Sequence, residues 1–433
     1  MNDRTWKAVK TFSSVLFLSS NVSKWNAQQI FVVDYDGNRE EDDMDDTEME
    51  DIEHDKHGLR YECAFNELSS FHAVYSLPPD FMHDLLEGAV AEDLMTIIKI
   101  LILKKYFHEG QYNNALKSFD YKSGDRPEEI SVKNNKIKGK ALSILCHLRH
   151  FGFIVEKLNP SSELLSESVL QLYSALDGIV NVMMAPKIQR FELATFSEHV
   201  IDYLDKRKVI FAEFPTIEQK PKPKHHNLSH YAESIEKYGP SLGFWTARFE
   251  SKHRVSKNLT HSSKNFVNIT KTLSERQQLR QCSVFYRGLY ETEDITIKEN
   301  VRHKFELVVG QCSTLESKIV EFMDAESLLM NEIRFKGQDY CNGDVIILGA
   351  MTADDLVVGL IQGIIYKNRS VYFVVHKYEA FRHEQLRFFT TLEFDDKLHL
   401  VQAESLKDYK PLVKHGSIKR FRFVTAHHVT VDV

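Results

Sequence analysis

Cysteine is scarce in this chain: five in 433 residues, at 63, 146, 282, 312 and 341, with no C-x-x-C pair among them. An odd, scattered set excludes both a disulfide framework and a Cys-based zinc site, and it fits a reducing compartment. Long apolar runs are missing too. The most hydrophobic stretch, residues 94–103 (LMTIIKILIL), is too short to span a bilayer and contains Lys99, so it reads as a buried helix. The first residues lack the basic-then-apolar pattern of a signal peptide, although 15–18 is mildly apolar. The expectation is therefore a chain with no membrane partner.

Positive charge is absent from residues 40–55, which hold eleven acids and no Lys or Arg. Such a tract reads as a solvated linker, with an interaction tail or a mimic of nucleic-acid charge as the functional alternative. It also dominates the formal net charge of −7; the remainder of the chain is +4. A mildly basic body is compatible with a nucleic-acid partner without demanding one. What is present otherwise is ordinary: 42% apolar and 27% charged residues, in a length sufficient for two or three domains.

Residues 30–37 (IFVVDYDG) form an apolar, β-branched run ending in Asp34 and Asp36. A strand that presents a metal-binding acid at its end looks like this, and so does any strand entering an Asp-Gly turn. A second strand is expected over 71–77. Pro78-Pro79 breaks it, Asp80 is placed to cap a helix, and apolar residues at Met82, Leu85, Leu86, Ala89, Val90, Leu94 and Ile97 carry that helix over 81–103. Asp80 and His83 are then one turn apart. They can form an orienting pair or share a metal; equally, Asp80 is only a cap and His83 only a half-buried ring.

Residues 107–214 are mostly helical by periodicity, clearest in 141–155, 164–184 and 191–204, with His147, Arg149 and His150 falling among core positions in structural roles. A basic, proline-spaced loop follows, holding Lys222, Lys224, His225 and His226. Phosphate contact with packing is the preferred account of it. His226 and His230 are four apart and share a helix face, a spacing that suits a metal, with no third ligand visible in the sequence.

The stretch 238–278 organises the whole. One carboxylate, Glu250, sits among Phe244, Trp245 and Phe249 and the cations Arg248, Lys252, His253 and Arg254. A helix starting after Gly239-Pro240 places Trp245, Phe249 and Lys252 or His253 near one stripe, with Glu250 beside it. An acid held among cations stays ionised; it can ligate a metal or pair with a structural Arg. The plainer alternative is a helix with two aromatic core anchors and i,i+4 ion pairs. Lys257, His261, Lys264 and Lys271 continue the basic run. Residues 286–339 read as a mixed connector. Short strands over 340–433, with Gly359 and Gly363 as bends, suggest a small barrel.

Several of these blocks together resemble the C-terminal half of an animal transposon-encoded protein related to the CACTA-type (En/Spm-like) DDE transposases. They are Pro78-Pro79-Asp80-Phe81-Met82-His83, then Lys222-Pro223-Lys224-His225-His226, then Arg248-Phe249-Glu250, then 265–278, and they occur in the family's order. The resemblance covers roughly residue 59 to the end, and the β-rich tail also resembles SH3-like or BAH-like barrels. It implies an α+β chain: a partial RNase H-like core with a large helical insertion, then a small β-barrel.

The domains expected are an N-terminal segment (1–38), an acidic linker (39–58), a helical region carrying the motifs (59–285), the connector (286–339) and the barrel (340–433). The resemblance gives Glu250 the role of third catalytic acid and metal ligand, with Asp80 and His83 as further site residues and Asp80 also at the metal. Mg²⁺ or Mn²⁺ is implied only if the chain is catalytic. By the family pattern the first two acids belong on strands upstream of the Asp80 block; Asp34 or Asp36 stands in for one of them, not both. The expectation is a catalytically incomplete, transposase-derived protein in the nucleus or cytoplasm that binds double-stranded DNA or chromatin partners. Lys222, Lys224, His225, His226, Arg248, Lys252, His253, Arg254 and Lys257 are its contacts. The alternatives are an active nuclease or transposase, and a scaffold that takes a protein or peptide at the barrel.

Overall fold

Apolar side chains crowd almost every face of residues 81–103, and the chain there becomes a continuous buried helix whose first part is π-wound, Met82–Val90, before it settles into α1, Ala91–Leu103. In this computed structural model the described residues are 67–70, 76, 78–121, 126–159, 166–217, 222–264, 267–288, 294–297, 303–304, 317–324 and 327–429. The expectations for 30–37, for the acidic tract and, apart from Ser76, for a strand over 71–77 lie outside them. The chain divides into two units, 1–246 and 247–433.

The first unit is built of helices. After α1 come α2 (Glu109–Ser118), the small hairpin β1 (Ile130–Ser131) with β2 (Lys136–Ile137), α3 (Ala141–Leu158), α4 (Glu167–Met183) and α5 (Glu192–Glu213). A short α6 (Pro223–Asn227) leads through a 3₁₀ turn, Leu228–His230, into α7 (Tyr231–Tyr238). The sequence dictates the layering. Twelve of the eighteen residues of α3 are buried, so it forms a central element rather than a surface one. It packs on the π-wound segment, while α4 and α5 form an antiparallel pair beside α1. His147 is wholly buried and meets the Tyr112 hydroxyl at 2.8 Å; His150 Nδ1 lies 2.8 Å from the Cys146 carbonyl. Burial pushes His147 down to about 3 and His150 to about 4, so both rings are neutral packing groups at pH 7. Among the described residues the strand content of this unit is the β1–β2 hairpin alone.

The second unit opens with two helices, α8 (Ala247–Ser263) and α9 (Ile269–Tyr286). A β-rich part follows. It starts with β3 (Ile295–Thr296) and β4 (His303–Lys304), and β3 makes a small sheet with β6 (Glu332–Phe335) and β7 (Gln338–Cys341). The framework is a meander of three long antiparallel strands, β9 (Asp355–Lys367), β10 (Ser370–Arg382) and β11 (Phe389–Gln402), with β5 (Leu328–Met330) and β8 (Val345–Ala350) paired to β9 and β4 paired to β5. Alternation buries one face: Ile361, Phe373 and Val375 share a cluster with Tyr340 and Phe335.

The register slips between Val374 and Val375, where Gln362 on β9 is the extra, exposed residue. A second slip lies between His376 and Tyr378. Such bulges curl a sheet, and this one is a half-barrel. Gly359 and Gly363 flank the first bulge. A Cβ on Gly359 would stand 3.1 Å from the Val375 side chain, so its lack of a side chain serves strand packing as well as bending. The sheet ends on this side at β4, paired with β5, so the β-rich part begins ahead of residue 340, inside the stretch read as a connector.

Candidate functional site

Asp80 sits where the Pro78-Pro79 break delivers the chain into the π-wound helix, and it is 4% exposed. His83 Nδ1 donates to its Oδ2 at 2.5 Å, as the one-turn spacing of an orienting pair requires. The Thr246 hydroxyl donates to the same oxygen at 2.5 Å, and the Thr246 backbone N–H donates to Oδ1 at 2.9 Å. The Met82 N–H reaches Oδ1 at 3.4 Å, a weak cap. Burial pushes this carboxyl up, but the hydrogen bonds from His83 and Thr246 more than offset it and hold it below the usual carboxylate range. Beside it, Trp245 lies flat on Phe81, with ring centroids 5.2 Å apart and planes 4° from parallel. Asp80 therefore ties the start of one helix to the end of the first unit, across 166 residues of sequence.

A second carboxylate, Asp84, lies one turn further on and is buried. Asn227 donates to its Oδ2 at 3.1 Å and the Tyr231 hydroxyl at 3.3 Å. Burial outweighs these bonds and the nearby Lys224, pushing the carboxyl up to about 6. A third, Asp93, is fully buried; it takes Arg207 Nε at 3.0 and 3.1 Å and the Tyr203 hydroxyl. Among the described residues neither ring nitrogen of buried His225 makes a hydrogen bond, and Nε2 stands 3.5 Å from Asp93 Oδ2, so His225 adds proximity more than a formed bond. Burial raises the Asp93 carboxyl, yet His225, Arg207 and Tyr203 together hold it below its ordinary value.

The basic residues read from the sequence divide into two groups. In the first unit they are engaged internally. Lys222 pairs with Glu92, Lys224 Nζ donates to the His83 carbonyl at 2.7 Å, and His225 faces Asp93. His226 Nε2 lies 3.1 Å from His230 Nε2. Buried His225 thus does not offer itself to a phosphate, whereas the Lys222 side chain stays more than half exposed beside Glu92. The second group, Arg248, Lys252, His253, Arg254 and Lys257, lies on α8, where each is exposed, as is Glu250. The helix starts at Ala247, after a 3₁₀ turn at Ser241–Gly243, so Trp245 precedes it. Phe249 is 52% exposed and lies 5.9 Å from Lys252 Nζ, which removes it as a core anchor.

The arrangement bears on metal chemistry. Mg²⁺ needs carboxylate oxygens turned towards it. Both oxygens of Asp80 are turned towards proton donors of the chain, so Asp80 as arranged does not fit as a ligand. Among the described residues no group of three or more His, Cys, Asp or Glu is placed to hold an ion. Also among the described residues, no helix is long and apolar enough to cross a membrane.

Thr246 was not legible in the sequence, since nothing marks a threonine as the partner of an acid 166 positions away. Asp93 was legible in principle: it recurs seven after Leu86 and four after Ala89, on the apolar stripe itself. Compared with family models, with curated proteins and with solved structures, the chain matches none.

Proposed function

We propose that this is a transposase-derived protein that binds DNA through its phosphate backbone without cutting it, and that the α8–α9 hairpin is the contact surface. One observation carries the reading. Residues 247–288 hold nine Lys or Arg against two Glu, on two helices in which no described residue is buried. Cations so displayed neutralise phosphates and release counterions, which gives binding that is salt-dependent and poor in sequence preference. The exposed rings of Phe285 and Tyr286 add flat apolar surface at the end of α9. The internal engagement of Asp80 supports the non-catalytic form of the proposal. The resemblance to CACTA-type transposases supplies the ancestry, with the helical unit as the remnant of an RNase H-like core and its insertion. The half-barrel is read as an SH3-like or BAH-like module.

The test is fluorescence anisotropy of a labelled duplex titrated with the full chain across a series of NaCl concentrations. If about three phosphates are neutralised, log K falls against log salt with a slope of about −3. Lys252→Glu, Arg254→Glu and Lys257→Glu together should flatten that slope and weaken binding at least tenfold at low salt, by the same counterion argument. Unchanged affinity in the triple variant would sink the proposal.

A further inference from the structure

We infer that His226 and His230 form a two-imidazole clamp for a borderline transition-metal ion such as Zn²⁺. Their Nε2 atoms face each other at 3.1 Å, with ring centroids 4.9 Å apart and ring planes at 74°. With Zn–N bonds of about 2.05 Å, that separation corresponds to an N–Zn–N angle of about 98°, between the octahedral and tetrahedral values. Two nitrogens at this spacing have the bite of a chelate.

The bite is also pre-organised. His226 lies on α6, whose first residue is Pro223, and His230 closes the 3₁₀ turn that follows. Of the residues between and beside them, His225, Asn227, Leu228 and Tyr231 are buried and only Ser229 is exposed, so the backbone carrying both rings is anchored in the core. Ser229 Oγ donates to the His226 carbonyl at 2.7 Å and Ser234 Oγ to that of His230 at 3.0 Å, fixing the turn from outside. Both rings are only partly covered, which leaves room for water to complete the coordination. The donor set selects the ion: imidazoles suit Zn²⁺, Ni²⁺ or Cu²⁺ and discriminate against Mg²⁺. The clamp is independent of the Asp80 carboxylate and of the DNA-binding hairpin.

The experiment titrates the full chain with ZnCl₂ against a competing chromophoric chelator at pH 7, alongside His226→Gln, His230→Gln and the double variant. Glutamine keeps a hydrogen-bonding side chain at each position and removes the ligand nitrogen. Each single variant should lower the affinity of one Zn²⁺ site at least tenfold, the double variant should lose it, and MgCl₂ should not compete. Equal stoichiometry and affinity in wild type and double variant would overturn the clamp and leave an ordinary N–H···N hydrogen bond. A second readout needs no variant: Zn²⁺ should protect His226 and His230 of the wild-type chain from acylation by diethyl pyrocarbonate, read by peptide mass spectrometry. Acylation unaffected by Zn²⁺ would equally overturn it.

Discussion

Asp84 is the residue at which charge and burial are most directly opposed. Its carboxyl is raised from 3.8 to about 6, so the folded chain binds this proton more tightly than the unfolded chain does. Between about pH 4 and pH 6 the folded state therefore holds more protons, and stability falls as pH rises through that window. A shift of this size corresponds to about 3 kcal/mol by pH 7. Asp84→Asn keeps an oxygen to accept from Asn227 and Tyr231 and removes the titration. The expected outcome is a variant about 1–3 kcal/mol more stable than wild type at pH 7, with the difference vanishing near pH 4, in urea unfolding followed by circular dichroism. Asp80 and Asp93 have the opposite sign. Their carboxyls are held low, so the stability they contribute is present above the ordinary carboxylate range and is lost only as pH falls below it. Tyr231, whose hydroxyl is pushed up by burial, and Asp80, whose carboxyl is held low by His83 and Thr246, also act on Asp84, and neither changes charge between pH 4 and 6.

At the scale of elements, helix type was legible and helix winding was not. The spacing of Met82, Leu85, Leu86, Ala89 and Val90 keeps these five on one side of the axis in either winding, so it does not separate an α-helix from a π-helix. What distinguishes the two lies elsewhere in the chain. Lys224 reaches the His83 carbonyl across Gly88, and a Cβ on Gly88 would stand 2.6 Å from Lys224 Cδ and 3.0 Å from that carbonyl oxygen. Gly88→Ala should push Lys224 off its acceptor and cost about 1–3 kcal/mol, beyond the helix propensity that alanine adds. In a Lys224→Ala background the same change should cost less, and a double-mutant cycle of urea midpoints reads the difference. Equal costs in the two backgrounds would show that Lys224 is not what Gly88 makes room for. The long strands were legible through alternation, and the two glycines marked the right place. The bulge itself, with Gln362 turned out, depends on a partner strand that a local pattern does not contain.

For the molecule as a whole, the sequence separated a helical body from a β-rich end, and the structure divides the chain at Thr246/Ala247, inside the motif that had looked like one continuous element. The reason is physical. Trp245 and Thr246 are held by Phe81 and Asp80, whereas from Ala247 on the helix carries charge on nearly every face and no stripe to bury.

The α9 helix shows the same character to a greater degree, with none of its residues buried and Leu279, Phe285 and Tyr286 largely exposed. An eighteen-residue helix without a core is only marginally stable in water. Its amides should therefore exchange with deuterium through local opening, within seconds, while those of α3 and β10 wait for global unfolding. Mass-spectrometric exchange on the free chain checks this, and slow exchange over 269–286 would contradict it. The consequence is thermodynamic: part of any ligand's binding energy goes into ordering this helix, so measured affinity understates the strength of the contacts it makes.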